Sequence, residues 1–173
     1  AKKASVPSTK TWDYDLGDGY GWGNSEQEYY TKLPQNVVVN GKGQLEITAL
    51  RIGEDDPIRD RCFTCEFSSA KLKTAGKLGF KYGHLEARMQ LPAGGGMWPA
   101  FWMLGAGLLK GKTWPDVGEI DIMEQKGFSN ADKQQVLGTL HTLSGSGGNG
   151  PSAVWPLPNA CTEFNTYHMS WDA

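Results

Sequence analysis

The sequence predicts an all-β fold, and three observations carry that prediction. Short stretches alternate between apolar and polar residues, as strands with one buried face do. Glycine is abundant, with 23 residues in a chain of 173. Helix-forming periodicity is scarce, so many short strands joined by turns fit the composition best. The length predicts a single domain over residues 1–173, with a sizeable core.

The charge and hydropathy of the chain exclude several classes of partner. The net charge is −2 and the pI is about 5.9, so no basic surface indicates nucleic acid. No apolar run approaches the ~20 residues that a membrane span needs. Residues 1–5 have no hydrophobic segment behind them. We therefore expect a secreted protein whose signal peptide has already been removed.

Three cysteines leave several interpretations open. Cys62 and Cys65 form a CxxC pair, and Cys161 lies far along the chain. A zinc site needs about four ligands, and no second CxxC or HxxxH is present. A redox CxxC normally begins a helix in a βαβ unit, which the pattern does not indicate. We favour a small structural disulfide loop, with one thiol left unassigned.

The N-terminal half predicts short strands separated by turns. The predicted strands cover residues 12–16, 37–39, 44–52 and 67–73, with a hairpin turn at residues 40–43. Between the first two lies a glycine-flanked aromatic loop that contains Trp22 and Asn24. Ordinary turn chemistry explains its glycines and asparagine. The alternative is a binding loop in which Trp22 packs underneath and Asn24 offers its amide to a ligand.

The segment 82–91 alternates well and is followed by a glycine-rich, tryptophan-rich stretch. Arg88 belongs to its polar row, where it is either a surface charge or a residue lining a cleft. Three glycines at 94–96 cost backbone entropy on folding. Glycines at these positions are expected where the backbone passes close to a ligand. Trp98, Trp102 and Trp114 follow within seventeen positions. Core packing is the default for each, but indoles prefer an N–H partner, and flat aromatic platforms suit sugar rings.

The hexapeptide Glu119-Ile120-Asp121-Ile122-Met123-Glu124 alternates acids with large apolar residues. Strict alternation would bury Glu124, which is costly for a lone carboxylate. A β-bulge near Ile122 and Met123 would return Glu124 to the wet face with Glu119 and Asp121. The two glutamate Cα atoms would then lie roughly 13 Å apart. Side chains leaning together would bring the carboxyls to about 5–6 Å, near the separation of retaining glycosidases and below that of inverting ones.

The three acids and the histidine at position 141 each have interpretations other than a role in catalysis or in a cleft. The acids are equally compatible with a solvated strand face or with a calcium site. A further strand, over residues 134–142, puts His141 on one face with Leu137 and Thr139. His141 is either a satisfied surface histidine or a cleft residue.

The hexapeptide resembles the signature of glycoside hydrolase family 16, in the form typical of its laminarinase branch, the endo-β-1,3-glucanases. Lichenases and xyloglucan transglycosylases lack the extra residue before the last glutamate. Four more stretches resemble the same branch in the same order: Trp22-Gly23-Asn24-Ser25-Glu26, Gly94-Gly95-Gly96-Met97-Trp98-Pro99-Ala100-Phe101-Trp102, Trp114-Pro115 and Gly138-Thr139-Leu140-His141. The resemblance covers residues 12–172.

The resemblance implies a β-jelly-roll sandwich of two antiparallel sheets with a concave substrate cleft. It implies Glu119 as nucleophile, Glu124 as general acid/base and Asp121 as the acid between them. It also implies cleft-lining residues, because the positions that match the following residues line the cleft in relatives: Asn24, Arg88, Trp98, Trp102, Trp114 and His141. The implied substrate is β-1,3-glucan such as laminarin. No cofactor is expected for catalysis, and a structural calcium away from the cleft is implied without ligands that we can place.

One departure from the family concerns the strands that follow residues 167–172 in relatives. We expect that a second polypeptide supplies them. The resemblance also leaves two rivals: a non-catalytic β-glucan-binding protein, and an agarase or carrageenase of the same fold. Both glutamates favour a catalyst over the first, and the glycine-tryptophan loop resembles a glucanase more than the second.

Overall fold

The computed structural model describes residues 3–127 and 134–173, and the chain divides into two compact units. The first unit is Ala1–Gly79 and the second is Phe80–Ala173. The described ranges contain strands and short 3-10 turns but no α-helix, which confirms the all-β prediction. No helix in the described ranges has the length and apolar character to cross a membrane.

The first unit contains β1 to β7, and the second contains β8 to β13. The strands of the first unit are β1 Asp13–Asp15, β2 Glu28–Tyr30, β3 Val37–Val39, β4 Leu45–Ile47, β5 Leu50–Arg51, β6 Phe67–Ser69 and β7 Lys71–Lys73. Those of the second are β8 Gly83–Met89, β9 Ala100–Leu104, β10 Glu119–Glu124, β11 Gln135–His141, β12 Ser152–Pro156 and β13 Asn165–Trp171. Within the described residues the 3-10 turns are Gly19–Gly23, Ala106–Lys110 and Gly147–Asn149.

The first unit is built from small sheets: β1 with β7, β3 with β4, and β6 between β2 and β5. The predicted hairpin is confirmed for β3 and β4, whereas the rest of the predicted strand over residues 44–52 forms β5 in another sheet. The Asn40 side-chain oxygen closes the hairpin turn by accepting from the backbone N–H groups of Lys42 and Gln44. The predicted strand over residues 67–73 is two strands, because the chain leaves one sheet after Ser69 and joins another at Lys71. β2 and β6 are parallel, which the alternation did not predict.

The Cys62–Cys65 disulfide predicted from the CxxC spacing is present in the first unit. Both cysteines are buried and pack with Ile52. The guanidinium of Arg59 donates to the carbonyl oxygens of Cys65 and Ile52, at 2.9 and 3.1 Å. The disulfide therefore belongs to a small core beneath a charged loop. Cys161, in the second unit, is a free thiol.

The second unit is a sandwich of two antiparallel sheets. One has the order β12-β11-β10-β9, and the other pairs β8 with β13. Buried side chains from both sheets and their connections form its core: Leu91, Met123, Val136, Ala160 and Tyr167. The predicted alternation of β8 is confirmed, since its even-numbered side chains are exposed and its odd-numbered ones from Leu85 to Met89 are partly buried.

The bulge predicted in β10 is present. Against β9, Asp121 pairs with Trp102 while Met123 pairs with Phe101, so Ile122 is the extra residue. Met123 is consequently turned into the core, where only 1% of its surface is exposed. Glu119 to Glu124 spans only the four residue steps from Leu104 back to Ala100 on β9. Four strand rises amount to about 13 Å between the glutamate Cα atoms, as expected.

Candidate active site

Three acids and one indole share the face of the four-stranded sheet that points away from the core. Glu119, Asp121 and Glu124 lie on β10, and Trp102 lies opposite Asp121 on β9. The core-facing residues of the same strands include Met123 and Phe101. The alternation that buries those two therefore presents the acids and Trp102 together.

Asp121 lies on the predicted face but is not solvated as predicted. Only 5% of its surface is exposed. Burial, followed by the charges of Glu119 and Glu124 and a hydrogen bond with Glu119, raises the pKa of Asp121 to about 8. Desolvation and like charges both disfavour ionisation. At neutral pH Asp121 is therefore a protonated acid whose O–H is donated to Glu119.

Each glutamate is held by the indole of a different tryptophan. Trp114 Nε1–H donates to Glu119 Oε2 at 2.6 Å. Trp98 Nε1–H donates to Glu124 Oε1 at 2.8 Å. Trp98 and Trp114 remain 40% and 45% exposed, so ring surface is left for a ligand. These N–H donors fix the direction of both carboxylates, and hydrogen bonds to ionised groups are the stronger kind.

His141 completes the cluster from β11. It pairs across the sheet with Glu119, and its Nε2 lies 2.9 Å from Asp121 Oδ2. Its ring also packs against that of Trp114, with 5.7 Å between centroids. His141 Nδ1 is buried and has no hydrogen-bond partner among the described residues. The ring therefore touches two members of the group, Asp121 and Trp114.

One predicted binding residue, Arg88, is not brought to the acids, and the cleft role of Asn24 stays a prediction. Arg88 lies on the outward row of β8, in the other sheet, and its guanidinium stacks 4.8 Å from the ring centre of Phe164. Because the core separates the two sheets, the outward faces of β8 and β10 lie on opposite sides of the sandwich. The structure therefore does not support the cleft prediction for Arg88. Asn24 belongs to the first unit, where its amide donates to Glu26.

Sequence reasoning missed one cation and the pairing of the tryptophans. Lys126 Nζ lies 5.3 Å from the centre of the Trp98 ring, two residues after Glu124. Its only signal in the sequence is that closeness, which does not fix a direction. The choice of glutamate by each indole depends on how the loops at residues 92–99 and 105–118 fold. No pattern of alternation encodes that.

No metal centre is evident in the described residues, where no three His, Cys, Asp or Glu side chains converge to hold an ion. The calcium-site interpretation of Glu119, Asp121 and Glu124 is not supported, because one oxygen of each glutamate already accepts a hydrogen bond from an indole N–H. A structural calcium elsewhere remains a prediction.

Comparison with known proteins agrees with the sequence motifs. The beta-glucanase of Rhodothermus marinus is 42% identical over 174 residues, covering 97% of this chain and 56% of that protein. Glucan endo-1,3-beta-glucosidase A1 of Niallia circulans is 36% identical, covering 93% of this chain and 24% of that protein. The chain thus spans about half and about a quarter of these two relatives.

The X-ray structure of the laminarinase from Rhodothermus marinus matches with a TM-score of 0.84 and 39% identity. The match covers 99% of this chain and 64% of that one. The all-β fold is accordingly the jelly-roll sandwich that the resemblance implied. The model for the glycosyl hydrolases family 16 matches residues 24–173. With that match over most of its length, the chain belongs to glycosyl hydrolase family 16.

Proposed function

We propose that the protein is a retaining endo-hydrolase of internal β-1,3-glucosidic linkages in β-glucans such as laminarin. One observation carries the proposal: Glu119 and Glu124 share a face across the bulge, each directed by its own indole, with Asp121 buried between them. Exposed ring surface of Trp98 and Trp114 beside the carboxylates supports a sugar substrate.

In the first step the Glu119 carboxylate attacks the anomeric carbon of the sugar. Protonated Glu124 gives its proton to the oxygen of the leaving sugar, and a covalent glycosyl-enzyme forms. Trp114 Nε1–H and the O–H of Asp121 aim the Glu119 oxygens during the attack. These donors hold the nucleophile in place at no entropic cost when the substrate arrives.

In the second step water hydrolyses the glycosyl-enzyme. Glu124, now ionised, takes a proton from that water, and the sugar leaves with its original anomeric configuration. Trp98 Nε1–H keeps Glu124 directed toward the same point in both steps. Asp121 keeps its proton throughout, because burial beside whichever glutamate is ionised disfavours a second negative charge.

The product anomer and one variant test the mechanism. NMR of the first product should show the β-anomer, and an inverted product would refute the role of Glu119. Glu119→Ala should lower kcat by about 10³-fold or more, as loss of a nucleophile does. Added azide should restore part of the turnover and give an inverted glycosyl azide. Glu163→Ala, an exposed carboxylate that bonds Asn159, is the control.

The rival from another class is a non-catalytic glucan-binding protein, and the placement of both glutamates disfavours it. A reducing-sugar assay on laminarin, run beside a binding assay, separates the two, since binding without product release would identify a recognition protein. An agarase or carrageenase would be found by the same assay on those polysaccharides. The panel should include mixed-linked β-1,3-1,4-glucan, because the geometry does not choose between linkages.

We also propose that a further polypeptide segment adds strands to the second unit, which with residues 1–173 makes one catalytic domain. Among the described strands, β12 and β13 each have an edge without a partner. A cavity of about 610 Å³ lies beside them, lined by apolar side chains such as Val136 and Trp155. Intact mass under denaturing conditions against native mass would reveal a second fragment, and addition of reductant would show whether a disulfide holds it.

We propose a secreted location on two grounds. A disulfide between Cys62 and Cys65 is typical of oxidising compartments. A polysaccharide substrate would also have to be met outside the cell. Immunodetection of the protein in culture medium and in cell lysate would test this, and retention in the lysate would contradict it.

A further inference from the structure

Gly150 lies where a side chain would collide with the strand that carries His141. A Cβ built there would be 2.6 Å from the carbonyl oxygen of Leu140 and 3.0 Å from His141 Nδ1. The backbone of Gly150 has φ −66° and ψ 139°, which any residue adopts. Backbone freedom therefore does not explain a glycine at this position, whereas the space beside β11 does.

The segment that begins at Gly150 is fastened to β11 by hydrogen bonds. Leu140 N–H donates to the carbonyl of Pro151 at 3.0 Å. Ser152 Oγ is 3.0 Å from Thr139 Oγ1 and 3.1 Å from the carbonyl of Gly150. These contacts hold the backbone of Gly150 against the Nδ1 edge of His141 and close that edge to solvent.

This closure has a consequence for the proton on the imidazole. Nδ1 of His141 is buried without a partner among the described residues. Buried N–H groups without a partner are rarer in proteins than buried acceptors without one. The favoured neutral tautomer thus carries its proton on Nε2, which then donates to Asp121 Oδ2.

We propose that Gly150 is a positioning residue for the acid cluster. Its missing side chain lets residues 150–152 close on the imidazole edge and hold His141 as an Nε2–H donor to Asp121. This inference rests on the proposed function only for its effect on turnover. The state of the His141 ring is a property of the folded protein and can be measured without substrate.

Gly150→Ala is the direct test, and Gly148→Ala is its matched control. Gly148 lies in the same loop with nothing within 4 Å of a Cβ, so the control makes the same chemical change in open space. In Gly150→Ala the methyl group must displace the loop or β11, and the imidazole with it. We expect kcat to fall roughly ten-fold, as for loss of one ordinary hydrogen bond, with KM little changed.

The imidazole nitrogens report the cause directly. Long-range proton–nitrogen NMR distinguishes Nε2–H from Nδ1–H rings, and with three histidines in the chain His141→Gln assigns the signal. The wild type and Gly148→Ala should both give the Nε2–H pattern for His141, and Gly150→Ala should give a shifted or mixed pattern. An unchanged His141 signal in Gly150→Ala would overturn the inference, even if kcat fell.

Two further outcomes concern a wild type that hydrolyses no glucan and a Gly150→Ala variant that does not fold. If the wild type hydrolyses no glucan while the His141 pattern changes as expected, the positioning role holds and the proposed function fails. If Gly150→Ala does not fold, Ser152→Ala replaces it, because it loosens the same segment without adding volume. A weaker shift of the His141 signal would then support the inference, and an unaltered signal would end it.

Discussion

Trp98 and Trp114 each donate a hydrogen bond to a different glutamate, and substitution can remove these two bonds one at a time. Substitution by Phe keeps an aromatic ring, although a smaller one, and deletes the N–H donor. A hydrogen bond to a charged group contributes about 1.5–3 kcal/mol, which corresponds to a rate loss of about ten- to a hundred-fold. We expect losses of this size in kcat on laminarin for Trp98→Phe and for Trp114→Phe.

A substrate with an activated leaving group should separate the two variants. An aryl β-laminaribioside with a dinitrophenol leaving group needs no proton from Glu124. The burst of dinitrophenol should therefore be nearly as fast in Trp98→Phe as in the wild type, and remain slow in Trp114→Phe. Equal bursts in both variants would contradict the assignment of Trp114 to Glu119.

Asp121 should contribute to the loss of activity on the alkaline side. Its pKa is raised to about 8, first by burial and then by Glu119 and Glu124. Below that pH the O–H of Asp121 donates a hydrogen bond to Glu119; above it, this donor is lost and a further negative charge appears beside the glutamates. We expect kcat/KM to fall as pH rises through about 8. Asp121→Asn keeps an N–H donor at every pH, so its profile should lack this descent, and a descent at the wild-type pH would reject the role.

At the level of the element, the bulge in β10 decides which side chains face the substrate. Deletion of Ile122 would leave Glu119, Ile120, Asp121, Met123 and Glu124 in strict alternation. All three acids would then still share one face, so we expect this variant to fold and to keep measurable hydrolysis. What it loses is the partly buried Ile122 side chain and its contacts with the core.

Deletion of Ile120 is the matched comparison, because it also removes one isoleucine from β10. It would put Glu119 on the face opposite Asp121 and Glu124, since a one-residue slip reverses the side-chain direction. Hydrolysis of laminarin should be lost, or the variant should fail to fold because a carboxylate enters the core. Equal activity in both deletion variants would show that the face on which Glu119 lies does not determine the site.

The same element shows how far the sequence could predict the site. Alternation gives the face of each side chain, and the cost of burying Glu124 reveals the bulge, so the arrangement of the acids was predictable. Alternation does not show which side chains from other strands lie over a given residue, which is why the burial of Asp121 was missed. That burial depends on His141, and so on the register of β11 against β10, which no local pattern in either strand encodes.

Arg88 and residues 67–73 are two places where the alternating pattern did not predict the tertiary arrangement. The period-2 pattern correctly put Arg88 on the polar row of β8. It does not show on which outward face of the sandwich that row lies. Similarly, residues 67–73 read as one strand, although the chain changes sheets at Ala70. Both are questions of tertiary topology, and for the jelly roll itself the family resemblance supplied the answer that composition did not.

At the scale of the whole molecule, the acid cluster should make the free energy of unfolding depend on pH. Asp121 has a pKa of about 8 in the folded protein, whereas an exposed aspartate titrates near about 3.9. Between these values the folded state binds a proton that the unfolded chain has lost, so stability falls as pH rises. The contribution is fully present below about pH 4 and is lost by the time the pH has risen through about 8.

Asp121→Asn removes this titration and should therefore stabilise the protein at the alkaline end. Relative to wild type, its free energy of unfolding should rise between pH 5 and pH 8, by about 1 kcal/mol or more, since each unit of pKa shift corresponds to about 1.4 kcal/mol. Urea unfolding at several pH values measures this, with Asp116→Asn, an exposed carboxylate that pairs with Lys112, as the control for charge removal. Because Glu119 is the larger charged cause, the difference should shrink in a Glu119→Gln background. A pH-independent difference would show that the folded protein does not hold a proton on Asp121, and the alkaline limb of activity would then need another origin.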